Sequence, residues 1–562
     1  MDRERRELEE FRRTSEADSI ENTLIDELIT GEVDRAGFIR RSAMFGLSAS
    51  VVGAALRTFG GGAPAFAASE PAKVGGRIRV GIIPGPTKDL EPHTLADLGG
   101  FEAAGIAGEF LTRNRPDLTL APELAVSWSP NATATVWRFK LRPNVKFQSG
   151  QKFGADDVVA TYKRLTSEGS GALSAFKGVL SPDGIRKVDD LTVEFHLDAP
   201  NANFVYLTSS TTYQAIILPA DYKIGTFTKT PQTTAAFKLV SYQPGVGAKY
   251  DRFTGWWGGR APLDGVDATF YSDDAAVVSA MLGGQIDLIG QINVTTGRAL
   301  FNNKSVKIFP AHGATHRQIP LGTDQGPLKD YRVRQALALT LDRPAIVKTL
   351  FNGFADLGND SPFAPVYPST AKTVPQRHRD LRKAKQLLAA AGHHKRFKVP
   401  LTTEKVGEIP QLAQIFQRSA RKIGVDIPIT VLTSSAYFSG SQTGPPRGYG
   451  TTPWLNAPIT ITDWGHRSVP NVILNAAFRS GGVWNAAHYR SKKYNRAFNS
   501  YVGAISLTDQ RKYAAQIEKI LLHDTPVIIP YFYNYIQAAS TRVKNYNPDA
   551  IGQIYLSKTS LG

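Results

Sequence analysis

Cysteine is absent from this chain of 562 residues. Its absence excludes disulfides, thiolate metal sites, cysteine nucleophiles and the lipid-modified cysteine that anchors many exported proteins. The motifs of a serine-hydrolase elbow, a zinc protease and a phosphate-binding loop are also missing. A glycine pair at Gly245 and Gly247 lacks the third glycine of a dinucleotide-binding loop. We therefore expect no enzymatic activity and no cofactor.

Metal and nucleic-acid binding have equally little support in the sequence. The ten histidines are mostly dispersed, and His393 and His394 follow a predicted helix end, where a solvated loop is expected rather than a metal site. The net charge is +17, but the basic residues are scattered and no aromatic ladder accompanies them. We expect no nucleic-acid partner. Residence near anionic lipid or cell wall is one use for the charge that remains open.

Long apolar runs are also lacking, and the most apolar uncharged stretch lies near the N-terminus, at 42–56. It is shorter than the ~20 residues that span a bilayer as a helix. Arg40 and Arg41 precede it, and small residues at Ala65 and Ala67 have the spacing that a signal peptidase reads. We predict a twin-arginine leader that is cleaved after Ala67, and a periplasmic or secreted protein without a lipid anchor. An uncleaved anchor and the general secretory route are the alternatives.

A strand pattern with period two is the clearest feature of the chain after the leader. Trp137, Phe139 and Leu141 alternate with charged residues, which is typical of a half-buried strand. Turns follow, and then Gly154 precedes a predicted helix with acidic residues in its first turn, where they face the positive end of the helix dipole. The segment 185–198 predicts one further strand.

The later part of the chain alternates between strands and helices. Asp330, Asp342 and Asp380 stand where helix N-caps are expected. Between 397 and 432 the pattern predicts a strand, a helix over 411–423 and a strand over 425–432, which make an α/β unit. An apolar run at 526–532 predicts a buried strand.

In this order, these segments resemble the family 5 extracytoplasmic solute-binding proteins, the peptide-binding subunits of ABC importers. The resemblance covers roughly 76–561 and implies an α/β fold: a two-lobed periplasmic-binding-protein clamshell of type II, with an extra N-terminal subdomain. It places lobe I at 68–312, with the subdomain at about 110–200, and lobe II at 313–525. The tail 526–562 would return to lobe I.

The resemblance also implies a function. We expect a monomer that captures short peptides as its lobes close and delivers them to the membrane permease of an importer. Uptake of a nickel chelate, haem or an oligosaccharide by the same fold is the nearest alternative. A secreted hydrolase or wall-binding protein is the alternative from another class.

The stretch around Asp463 and Trp464 is the candidate ligand site. In the resembled family an aspartate in a loop pairs with the α-ammonium of the ligand, and Asp463 is the best match. A role as an ordinary loop or cap residue is the alternative. If the ligand is a peptide with a free amino terminus, Asp463→Ala should weaken binding by about two to three powers of ten, since it removes a buried carboxylate that faces the ammonium.

The neighbours of Asp463 complete the expected site. Arg467 would clamp a ligand carboxylate or pair with a nearby acid, and the two alternatives remain open. Tryptophans would supply flat apolar walls, although core packing explains them equally well. The remaining candidate ligand-binding residues are Trp464, His466, Trp484, Asn485 and Trp454.

Overall fold

The computed structural model describes residues 73–562 except 87, 96, 231, 295, 441–449 and 550. These residues form two compact units. The first contains the described residues up to Ala311 together with Tyr535–Gly562, and the second is His312–Asn534. The chain therefore leaves the first unit and later returns to it.

The predicted leader lies outside the described residues, and so do Arg40, Arg41 and the cleavage position at Ala67. Within the described ranges, we find no helix that combines the length and the apolar character needed to cross a bilayer.

A mixed sheet forms the core of the first unit. Its strand Arg77–Ile82 pairs in parallel with Gly265–Phe270, and its apolar residues Ile78, Val80 and Ile82 are buried. Tyr535–Ser540 lies between two other strands and brings the C-terminal part of the chain into the same sheet. In spatial order the strands are Val306–Ala311, Tyr535–Ser540, Leu288–Ile292, Arg77–Ile82, Gly265–Phe270, Gly247–Arg252 and Phe237–Gln243.

A smaller antiparallel sheet of the first unit contains the strand with period two. In Val136–Leu141 the aromatic residues Trp137 and Phe139 are buried while the charged residues between them are exposed, so the predicted alternation is confirmed. The helix after Gly154 is confirmed as Ala155–Leu165. In spatial order the strands are Ala125–Pro130, Val136–Leu141, Thr192–His196 and Ile185–Asp189.

The single strand expected over 185–198 is wrong. The chain makes a hairpin there, with Ile185–Asp189 and Thr192–His196 paired antiparallel. The turn falls at Asp190 and Leu191. Aspartate favours turns because its side chain bonds to nearby backbone, as that of Asp189 does to the backbone nitrogen of Leu191 at 2.8 Å.

A second mixed sheet forms the core of the second unit. Its strand His316–Pro320 pairs antiparallel with Ile459–Trp464, and Leu401–Glu404 pairs in parallel with Ile459–Trp464 on the other side. In spatial order the strands are Ala355–Leu357, Tyr531–Tyr533, His316–Pro320, Ile459–Trp464, Leu401–Glu404 and Ile429–Leu432, with Val527–Ile528 also paired to His316–Pro320.

Aspartate caps begin three helices of the second unit, as predicted. The carboxylates of Asp330, Asp342 and Asp380 accept hydrogen bonds from backbone N–H groups in the first helical turn, at 2.8, 3.2 and 2.9 Å respectively. These helices are Tyr331–Ala338, Arg343–Phe351 and Leu381–Ala390.

The α/β unit expected between 397 and 432 differs in its bounds. The helix is Ile409–Arg421, which begins two residues earlier than predicted because Pro410 occupies a first-turn position that tolerates proline. Val425–Asp426 pairs with Phe397–Lys398, and Ile429–Leu432 belongs to the large sheet.

The C-terminal strand also differs from its prediction. Residues 526–532 do not leave the second unit: Val527–Ile528 and Tyr531–Tyr533 both pair with strands of that unit. Pro530 separates the two strands, because proline cannot donate a ladder hydrogen bond. The sheet pairing thus carries the second unit to Asn534 rather than to the expected boundary at 525.

The other helices and short strands connect these sheets. In the first unit the helices are Leu98–Ile106, Leu173–Phe176, Phe204–Leu207, Asp274–Leu282 and Arg298–Phe301, and the short strand pairs are Thr112–Asn114 with Leu120–Pro122 and Val543–Lys544 with Ser560–Leu561. In the second unit the helices are Ser434–Tyr437, Pro453–Asn456, Asn471–Ile473, Leu474–Phe478, Lys492–Gly503 and Leu507–Asp524. Short 3₁₀ turns lie at Pro92–Thr94, Pro182–Gly184 and Gly326–Lys329.

Candidate functional site

Asp463 lies in a strand and not in the loop where we expected it. It is the fifth residue of Ile459–Trp464, and it faces Arg317 across the antiparallel pairing with His316–Pro320. Residues opposite each other in such a pair have neighbouring side chains. The strand register therefore brings an aspartate and an arginine together that are far apart in the sequence.

Arg317 binds two carboxylates. Its Nε and Nη2 donate to the two oxygens of Glu408 at 2.8 and 3.0 Å, which is a bidentate pair. Its Nη1 is ion-paired with Oδ1 of Asp463 and also donates to the hydroxyl of Tyr533 at 3.1 Å. The guanidinium carbon stands 4.6 Å from the centre of the Tyr533 ring. Arg317 is almost fully buried, so these contacts hold it in one orientation.

The charges of this cluster stabilise one another against burial. Burial disfavours the charged form of Arg317, but Tyr533, Asp463 and Glu408 outweigh it and raise the pKa of the guanidinium. Burial likewise disfavours ionised Glu408, yet Arg317 lowers the pKa of that carboxyl below its ordinary value. A third carboxyl, Glu404, has its pKa raised, first by burial and then by Asp463.

Asp463 is the most accessible member of the cluster, since its side chain is 40% exposed. The hydroxyl of Tyr533 donates to Oδ1 at 2.8 Å, and Arg317 contacts the same oxygen. In the described part of the chain nothing bonds to Oδ2. One guanidinium faces the carboxylates of Glu408 and Asp463, so the cluster has an excess of negative charge, which suits a cationic group.

The tryptophans near Asp463 differ in their surroundings. Trp464 is buried, lies parallel to the ring of His316 at 6.5 Å, and meets Trp484 edge to face at 5.7 Å. Trp454 packs in a buried cluster with Tyr437, so core packing accounts for it. Trp484 is half-buried, and of the three it keeps the most accessible surface for a ligand.

His466 is neutral in this fold. Burial lowers its pKa to about 3. Its Nδ1 accepts from the backbone nitrogen of Ala314 at 3.0 Å, so the ring hydrogen is on Nε2. That buried nitrogen has no hydrogen-bond partner among the described residues.

The hydrogen bonds of Arg467 involve backbone carbonyl oxygens. Its Nη1 donates to the carbonyl oxygen of His466 at 2.7 Å, and Tyr367 donates through its hydroxyl to the Arg467 carbonyl at 2.6 Å. Arg467 forms no ion pair with any residue that the structure describes. Of the two alternatives stated for it, pairing with a nearby acid has no support.

Asn485 is removed from the candidate site. Its side chain is fully buried, and its amide donates to the carbonyl oxygens of Arg479 and Tyr489 at 3.2 and 2.8 Å. Its amide oxygen accepts from the backbone nitrogen of Tyr489 at 2.9 Å. These bonds hold the loop together and leave the side chain no surface for a ligand.

Sequence reasoning missed four residues of the cluster: Arg317, Glu404, Glu408 and Tyr533. A pattern does exist for Arg317, because an arginine inside a short, otherwise buried strand needs partners. No local pattern shows which acids provide them. The described residues also contain no group of three or more His, Asp or Glu side chains that could hold a metal ion.

Residues 119–485 match the family of bacterial extracellular solute-binding proteins, family 5, in its middle region. The chain belongs to this family. The matched range includes Arg317, Glu408 and Asp463. The α/β class and the family 5 fold expected from the sequence are confirmed.

Relatives of this family 5 protein carry different ligand names. It is 24% identical over 464 residues to heme-binding protein A of Haemophilus influenzae, covering 77% of this chain and 82% of that protein. It is 24% identical over 474 residues to a dipeptide-binding protein of Escherichia coli, covering 78% and 86% respectively. A solved structure of HbpA2 from Haemophilus parasuis is similar in fold, with a TM-score of 0.75 and 22% identity, covering 87% of this chain and all of that one.

Proposed function

We propose that this protein is the extracytoplasmic solute-binding subunit of an ABC importer and that it binds short peptides by lobe closure, without catalysis. Family membership supports the importer role, and the dipeptide-binding relative supports peptides as ligands. The ligand would pass to permease subunits in the membrane. The heme-binding relative makes haem the principal competing ligand.

The accessible carboxylate of Asp463 carries this proposal. Arg317 and Tyr533 hold it through Oδ1, and Oδ2 is left for a donor from outside the described chain. A peptide amino terminus is such a donor, because an ammonium offers three N–H groups and the charge that the cluster lacks. Trp484 offers an apolar surface nearby, through its contact with Trp464.

The exposure of Asp463 revises the size of its expected effect. We expected a loss of two to three powers of ten for a buried carboxylate facing an unshared ammonium. Asp463 is 40% exposed and already shares one oxygen with Arg317. Solvent and the guanidinium both weaken a further ion pair, so a loss of about tenfold in peptide affinity is expected.

A double-mutant cycle tests the assignment. Trialanine and N-acetyl-trialanine would be titrated by calorimetry into the wild type and into Asp463→Asn, which keeps the size and the Oδ1 acceptor. Acetylation should weaken the wild type about tenfold and the variant much less, because both changes remove the same ion pair. Asp426→Asn is the matched control, since Asp426 lies in the same unit and pairs with the exposed Arg396.

Two results would count against peptide binding through Asp463. Strictly additive losses would show that the peptide amino terminus does not meet this carboxylate. An equal loss in Asp426→Asn would show a general effect of charge. Failure of both peptides to bind would instead direct attention to the other ligand classes.

Native mass spectrometry of the purified mature protein identifies the solute class without a prior choice. A co-purified peptide supports the proposal. A haem, a nickel chelate or an oligosaccharide would each replace the peptide while leaving the importer role intact. Retention on isolated cell wall would instead favour a wall-binding protein.

Export and oligomeric state complete the proposal. We propose export as a monomer through the twin-arginine pathway, with a mature N-terminus near Ala68 and no lipid anchor. Changing Arg40 and Arg41 together to Lys should block export, because the leader has only a weakly apolar run. Normal export of the double variant would exclude this pathway, and light scattering during gel filtration would measure the molar mass.

A further inference from the structure

A pocket of about 140 Å³ lies within the first unit, among residues that the proposed ligand site does not include. It is similar in volume to an engineered cavity of about 150 Å³ that accepts benzene. Its walls come from the chain near Glu109 and Glu123, from the aromatic pair Trp256 and Trp257, and from the C-terminal segment. The charged and aromatic side chains that line it include Glu109, Arg113, Glu123, Trp256, Trp257, Tyr555 and Lys558.

Two cationic side chains line this pocket, and neither forms a hydrogen bond or close ion pair with an acid among the described residues. The guanidinium of Arg113 lies 4.8 Å from the centre of the Tyr555 ring, and it forms no hydrogen bond or ion pair with a described residue. The ammonium of Lys558 lies 5.4 Å from the Trp256 ring centre, and its recorded hydrogen bond, to the carbonyl oxygen of Gly258, is long at 3.4 Å. Most arginine and lysine side chains in a pocket lined by acids would pair with them.

The acids of the pocket offset these cations only in part, because Arg113 and Arg142 act on Glu123 but burial still raises the pKa of that carboxyl. Glu109 accepts three hydrogen bonds from other walls: from the indole nitrogens of Trp256 and Trp257 at 2.7 and 2.8 Å, and from the hydroxyl of Thr234 at 2.7 Å. Burial and then the neighbouring Glu123 raise the pKa of Glu109 to about 8, which leaves it largely uncharged at neutral pH. Glu123 accepts from the backbone nitrogen of Phe110 at 2.8 Å, and burial raises its pKa as well.

A third cation, Arg142, lies against Trp257 and adds to the positive potential of the pocket. The guanidinium of Arg142 lies 4.1 Å from the centre of the Trp257 ring, and its Nε donates to the carbonyl oxygen of Glu123 at 2.8 Å. The pocket thus combines aromatic walls with an excess of positive charge. That combination suits an anion with a flat apolar body.

We propose that this pocket binds a small organic carboxylate, whose anionic group is held by Arg113 and Lys558 and whose flat body lies against Trp256, Trp257 and Tyr555. The site is independent of Asp463 and adds a second ligand class to the proposed function. Tryptophan in its walls also gives the site a fluorescence readout.

Benzoate is the probe, because its volume and charge match the pocket. We expect saturable binding to the mature protein with a Kd of about 1 mM, by calorimetry and by tryptophan fluorescence. The neutral isostere benzamide should bind at least about tenfold more weakly, since it lacks the charge that the cations require.

Variants locate the binding. Arg113→Met should weaken benzoate binding at least about tenfold and Lys558→Met about threefold, because the second cation is exposed. Lys177→Met, an exposed lysine of the same unit, should leave binding unchanged. Asp463→Asn should also leave it unchanged, which separates this pocket from the peptide site.

Four results would overturn the proposal: no saturable binding of benzoate up to about 20 mM, equal binding of benzamide, full binding in both Arg113→Met and Lys558→Met, or loss of binding in Asp463→Asn. Circular dichroism would check that each variant is folded. If Arg113→Met does not fold, the exposed Lys558 decides the question.

Discussion

Two arginines show how the same side chain prepares opposite kinds of site. In the second unit, Arg317 is surrounded by Glu408, Asp463 and Tyr533, and its donors point to these groups. In the first unit, Arg113 rests on an aromatic ring and has no acid bonded to it among the described residues. The guanidinium of Arg317 is bonded to carboxylates of its own unit, whereas that of Arg113 can donate to a ligand. Its neighbours, and not the arginine itself, decide whether a site attracts a cation or an anion.

The acids follow the same contrast. Glu408, beside Arg317, has its pKa lowered despite burial, so it stays ionised. Glu109 is not bonded to a guanidinium among the described residues, and burial raises its pKa to about 8. An acid beside a guanidinium adds negative charge to its site. Glu109 accepts bonds from indoles and a hydroxyl, which favour its ionised form, but burial and Glu123 outweigh them and raise its pKa, so it adds little negative charge at neutral pH.

Removal of Arg317 should have the largest effect. Arg317→Met leaves two carboxylates in the cluster without their cation, and we expect the second unit to lose about 3 to 5 kcal/mol of unfolding free energy. Urea unfolding followed by circular dichroism measures the loss. Arg396→Met is the control, because the Arg396 pair with Asp426 is largely exposed and should contribute less than about 1 kcal/mol. Similar losses in both variants would show that the cluster is not held by Arg317.

The two acids should change stability with pH in opposite directions. Glu408 has a lowered pKa, so its contribution is present above its ordinary value of 4.5 and disappears as the pH falls through the lowered value. Glu109 has a raised pKa, so its contribution is complete below 4.5 and disappears as the pH rises through about 8.

Glutamine variants separate these two dependences. The wild type should lose stability below pH 4.5 because of Glu408, and between pH 4.5 and 8 because of Glu109. Each loss should have a slope of up to about 1.4 kcal/mol of unfolding free energy per pH unit. Glu408→Gln should abolish the first loss and Glu109→Gln the second. Unfolding curves measured from about pH 2 to about pH 9 cover both windows and test both dependences. If the stability changes attributed to Glu408 and Glu109 had the same sign with rising pH, the two acids would not differ as proposed.

The smallest expected effects concern two tyrosine hydroxyls that bond to the acids around Arg317. Tyr533→Phe and Tyr531→Phe each remove one hydroxyl bond to an acid, to Asp463 and Glu408 respectively, both at 2.8 Å. Each should cost about 0.5 to 1.5 kcal/mol of stability. Peptide affinity should fall a few-fold in Tyr533→Phe alone, since Tyr531 is fully buried and its hydroxyl bonds to Glu408. Calorimetry with trialanine that shows equal losses in both would remove Tyr533 from the ligand site.

Local features of the fold were predictable from the sequence. The alternation at Trp137 and Phe139 and the caps at Asp330, Asp342 and Asp380 depend on residues a few positions apart, and the structure has them as predicted. The order of these segments was also sufficient to identify the family. The errors fell where local preference was ambiguous: the turn inside 185–198, and the interruption of 526–532 at Pro530.

The chemistry of the two sites was decided by tertiary structure. Asp463 was visible in the sequence as a candidate, but its partners Arg317, Glu408 and Tyr533 come from strands and a helix end more than 50 residues away. Glu109 and Trp257 likewise meet only in the folded first unit. The sequence by itself determined the periodicity, the caps and the family, because those depend on neighbours along the chain. Which charges are paired, buried or left accessible depends on strand register and burial, and only the folded chain defines these.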